Sequence, residues 1–314
     1  MLLNKLIHGD CLEVMPQLEA GSIQTCVTSP PYYGLRDYGV TGQIGLEETP
    51  EVYIAQLVAV FREVRRVLKD DGTLWLNLGD SYASNTKGSG GHDPDKRTLT
   101  GSKKYVDDAQ HFEPRKIKHG LKEKDLLMIP ARVAIALQAD GWYLRSEIVW
   151  AKPNPMPESV KDRPTKSHEM IYLLSKSPRY YYDADAIKEP SADFEGSKKR
   201  YKSEFFVGDK HESGGYSANG AKHTGGMKIF DGKRNARDVW TVAAKPYKGA
   251  HFATFPPALI EPCILAGSAI GDYVLDPFSG SGTTGMVALK HGRNYIGIDL
   301  NAEYIKMAEA RIAQ

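Results

Sequence analysis

Two acidic residues flank a glycine-rich turn in the segment YVLDPFSGSGTTGMVALKHGRNYIGIDLN, residues 273–301. Asp276 follows an apolar strand-like run, Gly280 and Gly282 allow close backbone approach, and the next helix offers free N–H groups at its start. Asp299 lies about 20 residues beyond the turn, a spacing typical of a carboxylate that accepts ribose hydroxyls. An acid at position 276 would repel a pyrophosphate but attract a cation. The pattern therefore predicts S-adenosyl-L-methionine, which carries an ammonium and a sulfonium, as the cofactor.

A second segment, TSPPYYGL at residues 28–35, follows the alternating, strand-like sequence SIQTCV. It places a hydroxyl, two consecutive prolines and two tyrosines at one strand end. The prolines remove two backbone donors and fix φ at two positions. Taken alone, the segment suits either a proline-rich turn with surface tyrosines or a rigid polar site.

Strand-like and helix-like segments alternate along the chain and must position these two motifs. The strand-like segments are largely apolar, as buried parallel strands are, and read KLIHGD, IQTCVTS, TLWLNLGD, YLRSEIVWAKP, HEMIYLLSKS, DYVLDPF and NYIGIDLN. Helices are predicted from Pro50 to Leu68 with Thr49 as N-cap, over residues 125–139, and after Asn301 as N-cap. This alternation predicts an α/β fold with an open, mostly parallel sheet and right-handed crossovers.

Basic charge is concentrated in two stretches. Residues 87–124 carry ten Lys or Arg against six Asp or Glu, and residues 188–250 carry thirteen against eight. The 314-residue chain has a net charge of only +2, so the remaining residues are net acidic. Either stretch alone suits a solvated loop, but two basic stretches on an acidic scaffold favour a polyanionic partner.

Composition argues against several other classes of protein. No run of 18 apolar residues is present, and the sequence MLLNKLIHGD is too quickly polar for a signal peptide, so we expect a cytoplasmic protein without a membrane segment. The three cysteines, Cys11, Cys26 and Cys263, form no CxxC pair. That spacing predicts a reducing environment, and we expect no bound metal because the histidines also lack metal-ligand spacing.

Together, TSPPYYGL and LDPFSGSGTTG resemble the two principal motifs of the DNA amino-methyltransferases, which methylate an exocyclic nitrogen of cytosine or adenine. The catalytic motif comes first and the cofactor motif last, an order that resembles the beta group of that family. IHGDCLEVM and HFATFPPALIEPCI resemble the family's third and tenth motifs. The resemblance implies a Rossmann-like methyltransferase fold: a mostly parallel seven-stranded sheet, helices on both faces, and an antiparallel edge hairpin formed by YLRSEIVWAKP and HEMIYLLSKS.

The resemblance also implies roles for individual residues. Ser29 Oγ and the Pro30 carbonyl, held rigidly by Pro31, would accept the two hydrogens of a target amine. Tyr32 would stack on a base swung out of the duplex. No covalent nucleophile is needed, because such a site works by orientation and charge placement. Asp10 is expected beside the cofactor's adenine ring. The full set of candidate cofactor-binding residues is Asp10, Asp276, Phe278, Gly280, Gly282, Thr283, Asp299, Phe255 and Pro256.

The partner that these features imply is double-stranded DNA. Asp80, at the end of a strand, suits either a contact with the target base or a cap of the next turn. The catalytic half of the core is expected in residues 1–178, with a basic insertion at 87–124, the target-recognition region in 179–250, and the cofactor-binding half in 251–314. Candidate DNA-contacting residues are Asp80, Lys152, Arg163, Lys199, Arg200, Arg234 and Arg237.

Several alternatives stay open. In the family, Ser before the two prolines usually accompanies cytosine, so Ser29 favours cytosine N4, with adenine N6 as the alternative. Carbon-5 methylation would need a cysteine nucleophile, but Cys263 lies in an apolar, helix-like stretch that suits packing. A catalytically silent DNA-binding module and an RNA substrate are further alternatives. The sequence does not determine the recognition site, a cognate restriction endonuclease or the oligomeric state, monomer or dimer.

Overall fold

The computed structural model describes most of the chain, namely residues 4–83, 121–191, 233–244 and 255–313. The chain divides into two compact units. The larger unit contains residues 1–182 and 238–314, and the smaller unit contains residues 183–237. No helix within the described ranges has both the length and the apolar character needed to cross a membrane.

The secondary structure agrees with the predicted alternation. The strands are β1 (Lys5–His8), β2 (Ile23–Thr28), β3 (Leu68–Leu78), β4 (Tyr143–Ala151), β5 (His168–Ser175), β6 (Glu189–Pro190), β7 (Lys233–Arg234), β8 (Val239–Thr241), β9 (Tyr273–Asp276) and β10 (Asn294–Asp299). The α-helices are α1 (Cys11–Val14), α2 (Pro50–Val67), α3 (Ile129–Ala139), α4 (Pro257–Gly267), α5 (Thr283–Lys290) and α6 (Ala302–Ile312).

The larger unit is built on one sheet with the strand order β1-β10-β9-β2-β3-β5-β4-β8. β5 alone among these described strands runs antiparallel to its neighbours β3 and β4. The α/β prediction and the antiparallel pairing of β4 with β5 are therefore confirmed. The short β6 and β7 pair with each other in the smaller unit.

The predicted strand count of seven is wrong, because β8 adds an eighth strand beside β4 and takes the edge position from the hairpin. Three residues are too few to show a strand period in the sequence. β8 forms because β4 offers it a free edge: Val149 N donates to Asp238 O at 2.8 Å and Val242 N donates to Ala151 O at 3.1 Å. The Trp150 indole N–H also donates to Val242 O at 2.8 Å.

The order of strands reverses between β2 and β9. From β2 the chain continues to β3 on one side, and from β9 it continues to β10 on the other. In open α/β sheets, ligands bind at the carboxyl ends of the strands where such a reversal occurs. Here these ends carry Thr28 on β2 and Asp276 on β9.

Two of the predicted helices begin where their capping residues indicate. The Thr49 hydroxyl accepts a hydrogen bond from Val52 N at 3.3 Å, and Asn301 Oδ1 accepts one from Glu303 N at 2.9 Å. α2 ends at Val67, one residue before its predicted end, because Leu68 is extended and begins β3. Most of the predicted apolar stripe of α2 is buried in the core, with Leu57, Phe61 and Val64 at 0% exposure, while Ile54 is partly buried.

The helix predicted over residues 125–139 begins only at Ile129, so its first four residues are not helical. Met128 has a positive φ of 54° and turns the chain into the first helical turn, which contains Pro130. Asp80 supplies the missing cap: its Oδ1 accepts hydrogen bonds from Ile129 N and Ser81 N, each at 2.9 Å. In this structure Asp80 therefore caps the turn and the helix.

We expect Asp80→Ala to lower the free energy of unfolding by about 1 kcal/mol, because it leaves the Ile129 N–H without its acceptor. Asp80→Asn keeps an acceptor oxygen and should cost only a small fraction of that. Urea denaturation of both variants measures the difference. Equal losses in the two variants would show that the charge of Asp80, rather than its capping oxygen, stabilises the fold.

Candidate functional site

A cavity of about 280 Å³ lies at the carboxyl ends of β1, β2, β9 and β10. It brings together the two sequence motifs, which are more than 200 residues apart. The predicted site residues that line it are Asp10, Ser29, Pro30, Pro31, Tyr32, Phe255, Asp276, Phe278, Gly280, Thr283 and Asp299.

Asp276 is the most enclosed acid of the cavity, with only 1% of its surface exposed. Its Oδ1 accepts from Thr28 Oγ1 at 2.6 Å and from Phe278 N at 3.1 Å, and its Oδ2 accepts from Thr284 Oγ1 at 2.7 Å. Burial raises the pKa of Asp276 to about 6, although these hydrogen bonds favour the charged form. Oδ2 keeps one further lone pair for a ligand.

Asp299 is held by two backbone donors. Gly280 N donates to its Oδ2 at 2.7 Å, and Asn301 N donates to its Oδ1 at 2.8 Å. Gly280 has a φ of 50°, a left-handed conformation that turns its N–H toward the carboxylate. Burial raises the pKa of Asp299 as well. Each carboxylate oxygen retains a lone pair, so Asp299 can accept hydrogen bonds from two neighbouring hydroxyls.

Two predicted cofactor residues, Gly282 and Pro256, do not line the cavity. Gly282 has a φ of 74° at the start of α5, and a Cβ there would come within 2.8 Å of Ala308 Cβ on α6. Glycine is therefore required at position 282 by the packing of α5 against α6. Pro256 is buried immediately before α4. Asp10 lines the cavity and caps α1, since its Oδ1 accepts from Leu12 N at 2.8 Å.

The TSPPYYGL motif forms a rigid wall of the same cavity. Tyr53 Oη donates to the Pro31 carbonyl at 2.8 Å, which ties the two prolines to α2. The ring of Tyr32 packs against Gly79, where an added Cβ would approach Cε2 to 2.4 Å. Tyr32 is thus half-buried beside β3 rather than on the outer surface, so the alternative of a turn with surface tyrosines does not hold for this residue.

Sequence reasoning missed the polar partners of Tyr32. Its hydroxyl lies 2.7 Å from Glu169 Oε2 and 3.0 Å from Asn77 Oδ1. Burial and the negative charge of Glu169 raise the pKa of Tyr32 well above its usual value. Lys152 forms an ion pair with the other oxygen of Glu169. The available signal was a polar residue inside an otherwise apolar strand, as Asn77 is in TLWLNL.

The loop between the catalytic motif and α2 also contributes to the cavity, and sequence periodicity could not reveal this because the loop has none. It supplies the lining residues Arg36, Tyr38, Val40, Gly42, Gln43 and Ile44. The Tyr38 ring lies edge-on to Tyr304 of α6, with 6.4 Å between centroids. The Gln43 side chain accepts from Tyr38 N at 2.7 Å and so fixes the loop.

The described candidate DNA-contacting residues belong to both units. Arg163 pairs with Glu158 at 2.7 Å and lies 4.0 Å above the Tyr82 ring. In the smaller unit, Glu189 pairs with Arg234 at 3.4 Å and with Arg237 at 2.8 Å. Two more candidates, Lys199 and Arg200, lie outside the described residues. The DNA contacts of this set stay predictions.

Cys263, the residue that carbon-5 methylation would require, lies in α4 and is 1% exposed. It does not line the cavity, and burial raises the pKa of its thiol. A buried, protonated thiol is a poor nucleophile. The described ranges also contain no group of three His, Cys, Asp or Glu side chains arranged to hold a metal ion.

Comparisons with known proteins give the same family. The family model N6_N4_Mtase, a DNA methylase, matches residues 23–310. The type II methyltransferase M.Cfr9I of Citrobacter freundii is 48% identical over 307 residues, which cover 98% of this chain and 87% of that protein. M.SmaI of Serratia marcescens is 47% identical over 308 residues, covering 98% and 90%.

Solved structures share the fold. PvuII DNA methyltransferase (cytosine-N4-specific) matches with a TM-score of 0.63 at 18% identity, covering 99% of this chain and 86% of that one. A DNA modification methylase from Thermus thermophilus, solved with S-adenosyl-L-methionine, matches with a TM-score of 0.59 at 22% identity, covering 99% and 93%. Since the family model spans both motifs and the motifs share one cavity, the chain belongs to the N6/N4 family of DNA methylases, which use S-adenosyl-L-methionine.

Proposed function

We propose that this DNA methylase transfers a methyl group to the exocyclic N4 amine of a cytosine swung out of duplex DNA. The observation that carries the proposal is the position of Ser29, which lines the same cavity as Asp276 and Asp299. A serine at the head of the motif favours cytosine, and the cytosine-N4-specific PvuII enzyme shares the fold. Adenine N6 is the alternative, since its amine also offers two hydrogens.

The cavity fits S-adenosyl-L-methionine in charge and in hydrogen-bonding capacity. Asp299 would accept the two ribose hydroxyls through the lone pairs left by Gly280 and Asn301. Asp276 would hold the ammonium through its remaining lone pair on Oδ2, and Asp10 would lie beside the adenine. When bound, the cofactor supplies a methyl group made electrophilic by its sulfonium.

The catalytic motif would orient the target amine. The lone pair of cytosine N4 is delocalised into the ring, which makes the amine a poor nucleophile. Ser29 Oγ and the Pro30 carbonyl would accept its two hydrogens, favour a pyramidal nitrogen and leave the lone pair free to attack. Tyr32, held against Gly79, would form the wall on which the base stacks.

The DNA partner follows from the family, and the biological setting is part of the proposal. The basic stretches at residues 87–124 and 188–250, which are mostly outside the described residues, would contact phosphates, and residues 179–250 would contain the target-recognition region. The relatives named above are type II methyltransferases. That name supports a cognate restriction endonuclease that acts on the same DNA site.

The function is tested by incubating the protein with labelled S-adenosyl-L-methionine and unmethylated genomic DNA, then digesting the DNA to nucleosides for mass spectrometry. N4-methylcytosine is the expected product. N6-methyladenine would contradict the choice of base while leaving the cavity's role intact. RNA of the same sequences is tested in parallel. Labelled RNA, with no label on either DNA base, would contradict the proposed DNA substrate.

Ser29→Ala removes one of the two proposed acceptors for the amine, so we expect kcat to fall by about 100-fold. The dissociation constant for S-adenosyl-L-methionine should stay within about twofold, because the carboxylates of the cavity are unchanged. Ser22→Ala is the matched control, since Ser22 Oγ donates only to the nearby Glu19 carbonyl. A loss of cofactor affinity equal to the loss of kcat would contradict the assigned role.

Cofactor binding should weaken in acid. A pKa of about 6 for Asp276 means that protons compete with the cationic cofactor below that pH, so affinity should fall up to about tenfold per pH unit from there downward. Thr284→Val removes a hydrogen bond that lowers this pKa, so the pH at which affinity begins to fall (the pH break) should be higher in that variant. Calorimetry between pH 5 and pH 8 measures both.

Asp276→Asn should bind the cofactor weakly and lose that pH break. Asp140→Asn, which alters a partly buried acid that is paired with Arg62 and does not line the cavity, serves as the control and should keep the pH dependence. An unchanged break in Asp276→Asn would assign the titration to another group and contradict the proposed cation contact.

A further inference from the structure

The Tyr32 hydroxyl has a single hydrogen but lies between two strong acceptors. Glu169 Oε2 is 2.7 Å away and Asn77 Oδ1 is 3.0 Å away. Ser29 Oγ, the third neighbour, is 3.3 Å away. Because a phenol oxygen can both donate and accept, its neighbours decide which way its hydrogen turns.

Neither acceptor can reverse its role easily. Asn77 Nδ2 donates to the Met170 carbonyl at 3.1 Å, so the amide is held with its oxygen toward Tyr32. Glu169 is paired with Lys152, and an ionised carboxylate only accepts. Lys152 in turn is held over the Trp150 ring, with Nζ 4.2 Å from the centroid. The hydrogen of Tyr32 is therefore directed away from Ser29.

We propose that Glu169 and Asn77 act through Tyr32 as positioning residues that make Ser29 a hydrogen-bond acceptor toward the target amine. With its hydrogen given to Glu169 or Asn77, Tyr32 presents only lone pairs to Ser29. Ser29 then donates to Tyr32 across the 3.3 Å contact, and its own lone pairs are left for the cavity. This inference rests on the proposed function, in which the amine binds at Ser29.

The direction of this chain matters for the chemistry. A freely rotating serine hydroxyl can donate to an amine nitrogen as readily as it can accept from it. A hydrogen donated to N4 would engage the lone pair that must attack the methyl group. A serine whose hydrogen is already committed can only accept, so it binds the amine hydrogens and leaves the nitrogen lone pair free.

The test removes both acceptors and then removes the phenol hydroxyl. In Glu169→Gln, the donor Lys152 should attract the amide oxygen and turn the amide N–H groups toward Tyr32. Asn77→Leu removes the second acceptor with a side chain of similar size. In the double variant the Tyr32 hydrogen turns to Ser29, and we expect kcat to fall about tenfold below the product of the two single effects. The dissociation constant for S-adenosyl-L-methionine should be unchanged.

Tyr32→Phe keeps the ring and removes only the hydroxyl. It therefore distinguishes an effect of the direction of the Tyr32 hydrogen bond from an effect of the packing of the ring. In the wild-type background it should lower kcat, since Ser29 loses its acceptor. In the double-variant background it should raise kcat severalfold, since the misdirected hydrogen is gone. A loss of kcat in both backgrounds would overturn the proposal. If the double variant fails to bind cofactor, Glu169→Gln alone decides. Asn77 still accepts the Tyr32 hydrogen in that variant, so Tyr32→Phe must lower kcat there as it does in the wild type, and a rise in kcat would overturn the proposal.

The outcomes separate this inference from the function beneath it. Wild-type enzyme that forms N4-methylcytosine, together with an unchanged sign of the Tyr32→Phe effect, would refute the polarity of Ser29 and leave the reaction standing. Wild-type enzyme that forms no N4-methylcytosine would refute the proposed function itself.

Discussion

The hydrogen bond from Thr28 Oγ1 to Asp276 Oδ1, 2.6 Å long, joins two residues 248 positions apart, and the candidate site depends on it. β2 and β9 run side by side at the reversal of the sheet, so their carboxyl ends must meet. Ser29 follows Thr28 directly. One buried contact therefore fixes the start of the catalytic motif against the cofactor motif, although the chain places them near opposite ends.

Both halves of the cavity use buried polar groups whose hydrogen bonds are directed. Asp276 and Asp299 accept hydrogen bonds from hydroxyls and backbone N–H groups, yet burial still raises the pKa of each. A cationic ligand with free hydroxyls would therefore stabilise the charged form of both carboxylates. On the other side of the cavity, the Tyr32 hydroxyl lies within hydrogen-bonding distance of two acceptors, Glu169 Oε2 and Asn77 Oδ1. Under the proposed function, charge would hold the cofactor on one side of the cavity, and hydrogen-bond direction would orient the substrate on the other.

Much of this could be predicted from the sequence. Local rules located seven of the ten strands in the described residues, the capped starts of two helices and the turn around Gly280, because each depends on neighbouring residues. The cap that Asp80 gives to α3 and the contact of Tyr32 with Glu169 depend on residues distant in sequence, which no local period encodes. The strand β8 was missed for a similar reason: it is stabilised by the edge of β4 rather than by its own three residues.

A crystal structure with bound S-adenosyl-L-methionine tests most directly the claim that the two motifs form one site. The account predicts ribose hydroxyls within hydrogen-bonding distance of Asp299, the ammonium beside Asp276, and the methyl group facing Ser29 across a gap wide enough for one amine nitrogen. A cofactor whose methyl group points away from Ser29, or whose ribose lies away from Asp299, would contradict it.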